Sequence, residues 1–215
     1  AVRKGLEAFQ RWLYGTYFRV RVRYAGRVPA GRVLVAGNHA SHLDMGLIKR
    51  ALGPAGEGLA PLAAQDYFFR PGWRRFFFSR FTNLVPIDRR AGLKDTLRRA
   101  ARALESASVL VFPEGTRSRT GSIAPFKRSF GYLALKIRAD VLPVFVDGTF
   151  AAHPKGRVLP RRGELTAVVG RPIPASELAA LAEGRPLKEA CRLIAQRGEG
   201  ELRALERREG SRARG

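Results

Sequence analysis

The segment RVLVAGNHASHLD, residues 32–44, decides the fold because it joins a buried strand to a helix through a short polar turn. Residues 32–36 form an apolar run that is typical of a buried strand. A short helix is predicted over residues 44–52. The polar residues between the two elements then lie at the carboxyl end of a strand, where α/β sheets bind their ligands.

Alternation of strands and helices continues outward from this segment. Residues 18–24 alternate apolar and basic side chains, which predicts a half-buried or edge strand. Further strands are predicted over residues 59–64, 84–87, 108–112, 141–146 and 165–169, and helices over residues 73–81, 93–104 and 129–138. The pattern predicts an α/β fold, with a mostly parallel central sheet flanked by helices, an N-terminal amphipathic helical segment and a C-terminal helical extension.

The predicted organisation has four parts: an amphipathic membrane-interface helix (residues 1–17), an α/β domain (18–174), C-terminal helices (175–208) and a charged, frayed tail (209–215). Gly198 and Gly200 are expected to interrupt the C-terminal helix. The first segment interleaves apolar and basic residues, which suits an interfacial helix or a helix packed on the core. Residues 68–81 mix aromatic residues with arginine, which suits either a membrane-inserting helix or a core helix with a snorkelling surface.

Arginine dominates the charge of the chain. Forty basic and eighteen acidic residues give a net charge of +22, and only seven of the basic residues are lysine. Such a charge indicates an anionic partner, which could be nucleic acid, an anionic membrane surface or a phosphorylated substrate. No apolar run reaches the roughly eighteen residues of a membrane span, and the first residues lack the apolar block of a signal peptide, so a cytoplasmic, membrane-associated protein is expected. The single Cys191 rules out an internal disulfide.

His39 and Asp44 are the candidate catalytic pair. A carboxylate beside one imidazole nitrogen fixes the tautomer and stabilises the imidazolium, so the pair suits removal of a proton from a hydroxyl group. The competing interpretation is a histidine that caps the following helix. His42 serves as an internal comparison, because it lies only two residues from Asp44 and a solvent or capping role is expected for it.

Other charged residues follow predicted strands. Arg89, Glu114 and Arg117 should converge with His39 at one sheet edge if the strands are parallel. Arg89, Arg117 and Lys127 could then hold a phosphate. Glu114 and Arg117 could instead form a surface ion pair, and Arg89 could be one of many surface arginines.

Four blocks of the sequence, in order, resemble the glycerolipid acyltransferase family. Residues 38–44 (NHASHLD) are similar to its N-H-x-S-x-x-D block, and residues 85–89 (VPIDR) to its arginine-bearing block. Residues 112–118 (FPEGTRS) match the third block in full, and residues 141–144 (VLPV) resemble the fourth. One departure follows Lys127: the family often has a glycine shortly after this lysine, whereas here the first glycine is Gly131.

The resemblance implies that His39 deprotonates the free hydroxyl of a lysophosphatidate (1-acyl-glycerol-3-phosphate), which attacks an acyl thioester and gives phosphatidate, while Asp44 orients His39. The donor would be acyl-CoA or acyl-acyl carrier protein, and no metal or cofactor would be needed. The resemblance also implies substrate-binding roles for five residues, namely Arg89, Glu114, Gly115, Arg117 and Lys127. The enzyme would act as a peripheral or monotopic protein on the anionic cytoplasmic face of the cell membrane.

Two other functions compete with this one. The first keeps the chemistry and changes the acceptor to glycerol-3-phosphate or another lyso-lipid. The second is a basic nucleic-acid-binding protein, but the basic residues are spread over the whole chain, with no zinc-ligand spacing and no recognition-helix signature. No nucleic-acid partner is therefore expected.

Overall fold

A computed structural model describes residues 5, 8, 12–64, 85–87, 93–154 and 156–212. Most of the predicted N-terminal helix, the aromatic and arginine-rich segment 68–81 and Arg89 lie outside these residues. The described end of the first segment is a π-helical turn, Leu13–Tyr17. No helix in the described ranges has the length and apolar character to cross a bilayer.

Seven described strands form one sheet in the order β1-β7-β6-β2-β5-β3-β4. All neighbouring pairs are parallel except β6 and β7, which are antiparallel. The strands are β1 Arg19–Tyr24, β2 Leu34–Gly37, β3 Ala60–Ala64, β4 Val85–Ile87, β5 Val109–Val111, β6 Val141–Asp147 and β7 Glu164–Val169. The predicted α/β class with a mostly parallel sheet is confirmed, and the 18–24 strand lies at the sheet edge as predicted.

The helices cover both faces of this sheet, which is why its central strands are nearly continuous apolar runs. Side chains on one face, including Leu34, pack with the C-terminal helices, and those on the other face, including Val35, pack with the helix after β2. The described helices are α1 Leu43–Ala51, α2 Pro54–Glu57, α3 Leu93–Leu104, α4 Arg128–Ile137, α5 Thr149–Ala152, α6 Ala175–Ala180 and α7 Leu187–Arg212.

The long helix α7 corrects two sequence-based expectations. It continues through Gly198 and Gly200 and ends at Arg212, beyond the predicted end at residue 208. A Cβ atom on Gly198 would lie 2.9 Å from the ring of Phe130 on α4. Gly198 therefore permits close packing between two helices, and the packing compensates for its poor helix propensity. The expected tail is also held by an ion pair, because Glu209 lies 2.9 Å from Arg23.

Gly131 performs the same function from the opposite helix. A Cβ on this residue would overlap the carbonyl oxygen of Cys191 on α7. The glycine that departs from the family pattern after Lys127 is thus a point of close contact between α4 and α7. Cys191 is a buried free cysteine in this contact, and burial raises the pKa of its thiol.

Candidate active site

The candidate site lies where three parallel strands end. β2 pairs with β5 on one side and with β6 on the other, so the segments that follow these strands begin at one edge of the sheet. His39 follows β2, Glu114 follows β5, and His153 follows β6 after the short helix α5. The convergence predicted from the strand ends is therefore present for His39 and Glu114.

Asn38 joins the ends of β2 and β6. Its side-chain amide donates to the carbonyl of Val146, and its Oδ1 accepts the backbone N–H of Val146, each at 2.8 Å. Asn38 is buried, so these two bonds satisfy an amide that would otherwise be costly to bury. They also fix the position from which the His39 segment leaves the sheet.

His39 and Asp44 form a hydrogen-bonded pair. Nδ1 of His39 lies 2.9 Å from Oδ2 of Asp44. The Asp44 side chain is fully buried, whereas that of His39 is 21% exposed. Because a carboxylate only accepts hydrogen bonds, the shared proton belongs to Nδ1, and Nε2 carries the lone pair. The pair thus joins a partly exposed imidazole to a fully buried carboxylate.

The turn before α1 holds this carboxylate in place. Oδ2 of Asp44 also accepts the backbone N–H groups of Ala40 and Ser41, at 2.6 and 2.8 Å. The Ser41 hydroxyl donates to the carbonyl of His153 and accepts the N–H of Leu43. Asp44 also lies in the first turn of α1, where the helix dipole favours a negative charge.

Phe112 fixes the plane of the imidazole. Its ring stacks on His39 with centroids 3.9 Å apart and an angle of 13° between the planes. Together with the bond to Asp44, this contact leaves the ring little rotational freedom. Neither Phe112 nor Asn38 received a role from the sequence, although both lie inside the recognised blocks.

Glu114 binds the backbone rather than projecting into open space. Oε1 accepts the N–H of His39 at 2.7 Å, and Oε2 accepts the N–H of Ala124 at 2.9 Å. Burial raises the pKa of Glu114 from 4.5 to about 7, although the bonds from Ala124 and His39 act in the opposite direction. This geometry favours a positioning role for Glu114, and its predicted contact with substrate stays a prediction.

Gly115 and Lys127 are in contact. Gly115 has a φ of +73°, and a Cβ there would lie 2.7 Å from Nζ of Lys127. A side chain at this position would therefore meet both backbone strain and a clash. The structure thus brings the exposed Lys127 ammonium over the turn of the third block.

Two further histidines lie beside the His39–Asp44 pair. The rings of His42 and His153 are 6.2 Å apart. Desolvation by the surrounding protein lowers the pKa of His42 from 6.5 to about 4, and the nearby charges of Arg117, His39 and His153 add to this effect. His42 occupies the N-cap position of α1, but its side chain makes no capping bond. Arg117 is thus close enough to influence the site electrostatically.

The C-terminal helix α7 holds the loop that connects these groups. Glu199 accepts the N–H of Phe126 at 2.9 Å and the Nε–H of Arg203 at 2.8 Å, and Arg203 donates to the carbonyl of Ile123 at 3.0 Å. The loop between these contacts contains Ala124, the partner of Glu114. The sequence analysis missed Glu199 and Arg203, whose four-residue spacing predicts only an ordinary helical ion pair.

The structure therefore gathers most of the predicted site residues at one place. His39 forms a hydrogen bond with Asp44, and Glu114 accepts the backbone N–H of His39. Lys127 lies against Gly115. The charge of Arg117 contributes to the lowered pKa of His42. His153, for which the sequence offered no function, also lies at the site. Arg89, the remaining predicted binding residue, lies outside the described ranges.

Comparison with known proteins identifies the family of this chain. A family model described as Acyltransferase matches residues 19–147. The chain belongs to the acyltransferase family.

Curated relatives carry a more specific name. Two of them are a 1-acyl-sn-glycerol-3-phosphate acyltransferase of Cocos nucifera, 30% identical over 146 residues, and the alpha form of Homo sapiens, 28% identical over 141 residues. These alignments cover 66% and 64% of this chain and 46% and 48% of the relatives. The chain therefore spans about half the length of these relatives.

A solved structure shares the fold. It is the 1-acyl-sn-glycerophosphate (LPA) acyltransferase PlsC of Thermotoga maritima, with a TM-score of 0.66 and 23% sequence identity. The match covers 95% of this chain and 80% of the other. At this identity the likeness establishes the architecture of the domain.

Proposed function

We propose that this chain transfers a fatty acyl group to the free hydroxyl of 1-acyl-glycerol-3-phosphate and so produces phosphatidate. The donor is acyl-CoA or acyl-acyl carrier protein. The observation that carries the proposal is the 2.9 Å contact between Nδ1 of the partly exposed His39 and the fully buried Asp44. The names of the relatives support the choice of acceptor.

The proposed reaction is a single displacement. Nε2 of His39 takes the proton of the acceptor hydroxyl as its oxygen attacks the thioester carbonyl. A C–O bond forms, the C–S bond breaks, and the leaving thiolate receives the proton from the imidazolium. Asp44 stabilises the imidazolium between these two proton transfers. The reaction as written needs no metal or cofactor.

The acceptor phosphate is assigned to basic residues around this pair. Lys127 lies against Gly115 in the turn after Glu114, and Arg117 lies near His42. These two residues are the proposed phosphate contacts, together with Arg89. Gly115 keeps the turn beneath Lys127 free of a side chain. Glu114 contributes by holding the backbone of His39, and any direct contact with the acceptor is secondary.

The proposed location is the cytoplasmic face of the cell membrane, where the protein is peripheral or monotopic. Both the lyso-lipid acceptor and the product are membrane lipids, so the site must receive them from a bilayer. A net charge of +22 favours an anionic membrane surface. The same charge suits both donors, because coenzyme A is phosphorylated and acyl carrier protein is acidic.

The test is transfer of labelled palmitate from palmitoyl-CoA, and separately from palmitoyl-acyl carrier protein, to lysophosphatidate in detergent micelles. Labelled phosphatidate from either donor supports the proposal. The acceptor panel includes glycerol-3-phosphate and other lyso-lipids. Product with one of these but not with lysophosphatidate would replace the proposed acceptor, and no product with any acceptor would reject the proposed function.

A further inference from the structure

Two adjacent apolar side chains extend from a basic loop beside the candidate site. Residues 156–162, here called the apolar-basic loop, connect α5 to β7. Val158 and Leu159 at its tip are 89% and 74% exposed, more than any other large apolar residue in the described part of the chain. Single exposed apolar residues are ordinary on a protein surface, but two adjacent ones at a loop tip form a protruding apolar point.

The base of this loop is braced. The N–H of Arg161 donates to the carbonyl of Ala152 at 2.8 Å, and Nε of Arg157 donates to the carbonyl of Leu159 at 3.0 Å. The Tyr17 hydroxyl donates to the carbonyl of Pro160 at 3.0 Å. These bonds hold the loop in a defined shape while Val158 and Leu159 stay exposed.

Arginines surround the tip. Arg157, Arg161 and Arg162 are all exposed, and the guanidinium of Arg162 lies 5.6 Å from the centre of the Tyr17 ring. An apolar point among basic side chains matches a lipid interface, where the tip enters the acyl region and the arginines reach the phosphates. Each such basic residue strengthens the attraction to an anionic surface.

The surface extends from the loop to the π-helical turn. The Tyr17 ring lies 5.9 Å from that of Trp12, and Trp12 is 50% exposed. Tryptophan and tyrosine are enriched at the headgroup level of membranes. The loop tip, its arginines and this aromatic pair thus form one amphipathic surface built from two separate segments.

This surface adjoins the candidate active site. The residue that leads into the loop is His153, whose carbonyl accepts the Ser41 hydroxyl at 2.8 Å. Ser41 in turn belongs to the turn that carries His39. A bilayer in contact with the loop would therefore lie close to the catalytic pair.

We propose that the apolar-basic loop docks the protein on an anionic lipid bilayer by inserting Val158 and Leu159 among the lipids. The inference rests on the proposed function, because the lipid acceptor must pass from a bilayer to His39. An acidic protein would bind the arginines but would leave the apolar tip exposed. A bilayer accommodates both features.

The test is flotation with phosphatidylcholine vesicles, with and without phosphatidylglycerol, and without substrate. Val158→Ser/Leu159→Ser should weaken binding to the anionic vesicles by about tenfold, because both apolar side chains lose their lipid contact. Leu187→Ser is the matched control. Leu187 is 50% exposed, but it belongs to α7 and lies outside the proposed docking surface. The Leu187→Ser variant should therefore bind like wild type.

A second pair of variants tests the charge. Arg161→Gln/Arg162→Gln should weaken binding to anionic vesicles by about tenfold and leave the weak binding to neutral vesicles unchanged. Arg207→Gln/Arg208→Gln removes the same charge from exposed positions on α7. Its loss of affinity for anionic vesicles, on a logarithmic scale, should be less than half of the loss in Arg161→Gln/Arg162→Gln.

Equal vesicle binding by wild type and Val158→Ser/Leu159→Ser would overturn the inference, as would an equal loss in the Leu187→Ser control or no binding by wild type. Unchanged vesicle binding with reduced transfer from palmitoyl-acyl carrier protein would assign the loop to an acidic protein instead, which also overturns it. Activity in detergent micelles is a separate readout. A protein that binds vesicles through the loop but has no transferase activity would reject the proposed function and leave the docking surface standing.

Discussion

Oε1 of Glu114 accepts the backbone N–H of His39 at 2.7 Å, so a buried carboxylate after β5 holds the main chain of the proposed base after β2. The other oxygen of Glu114 holds Ala124, and α7 holds the same loop through Glu199 and Arg203. The position of His39 thus depends on contacts that extend from the sheet edge to the C-terminal helix.

Glu114→Gln should change how stability depends on pH. Burial raises the pKa of Glu114 from 4.5 to about 7, so the folded state holds this proton more tightly than the unfolded state. Raising the pH from 4.5 to 7 therefore lowers the free energy of unfolding of the wild type by up to about 3 kcal/mol. The variant has no such proton and lacks one acceptor, so it should be less stable near pH 4.5, by a margin that shrinks toward pH 7. Urea unfolding across this range measures the difference, and parallel pH curves would contradict the prediction.

His39→Ala should lower kcat by about a hundredfold or more, because a positioned general base contributes at least that much. His42→Gln is the control, since His42 lies in the same turn, whereas the 2.9 Å contact with Oδ2 of Asp44 is made by His39. It should retain most activity. Steady-state rates in detergent micelles compare the two, and a similar loss in both variants would remove His39 from its assigned role.

Asp44→Asn should lower kcat by about two orders of magnitude with little change in KM. The amide oxygen can replace Oδ2 as acceptor, but the amide nitrogen then takes the place of Oδ1, which is buried and has no hydrogen-bond partner among the described residues. A neutral amide also does not stabilise an imidazolium. Thermal unfolding of the variant separates the catalytic loss from a loss of folding, and an unchanged kcat in a folded variant would be inconsistent with the pair.

Glu199→Ala should raise the KM for lysophosphatidate and lower kcat, because it releases the loop that carries Ala124 and Lys127. Glu199→Gln, which keeps an acceptor for the N–H of Phe126, should recover part of the activity. Glu201→Ala is the control, since Glu201 pairs with Arg197 on the same helix and a partly exposed pair of this kind contributes less than about 1 kcal/mol. Equal kinetics in Glu199→Ala and Glu201→Ala would show that the loop does not need this support.

Gly131→Ala and Gly200→Ala should have opposite effects on stability, although both place alanine inside a helix. At Gly200 a Cβ meets nothing within 4 Å, so the better helix propensity of alanine should add about 0.5–1 kcal/mol. At Gly131 the Cβ overlaps the Cys191 carbonyl, which should destabilise the fold by more than about 2 kcal/mol. Urea unfolding of the two variants measures both. Stabilisation by Gly131→Ala would contradict the close contact between α4 and α7.

The strands and most helices could be predicted from the sequence because their apolar periodicity is local. The helix Leu93–Leu104 has the predicted bounds, and the described strands and the helices Leu43–Ala51 and Arg128–Ile137 differ from their predictions by one or two residues at their ends. The helix predicted over residues 73–81 lies outside the described residues. The prediction failed at Gly198, because the low helix propensity of glycine was weighed without the neighbouring helix that packs against it. Gly200 lies two residues further along the same continuous helix.

The sequence by itself determined the class of fold, the order of its elements and the likeness of four blocks to one enzyme family, since these depend on the pattern of residues along the chain. Only the tertiary structure decided that Glu114 binds the backbone of His39, that Phe112 stacks on the imidazole and that Glu199 supports the loop beside them. These contacts join residues that are 73 to 75 positions apart. Local sequence patterns do not report such pairs, because the geometry that brings them together arises from parallel strand pairing and from the packing of α7 on α4.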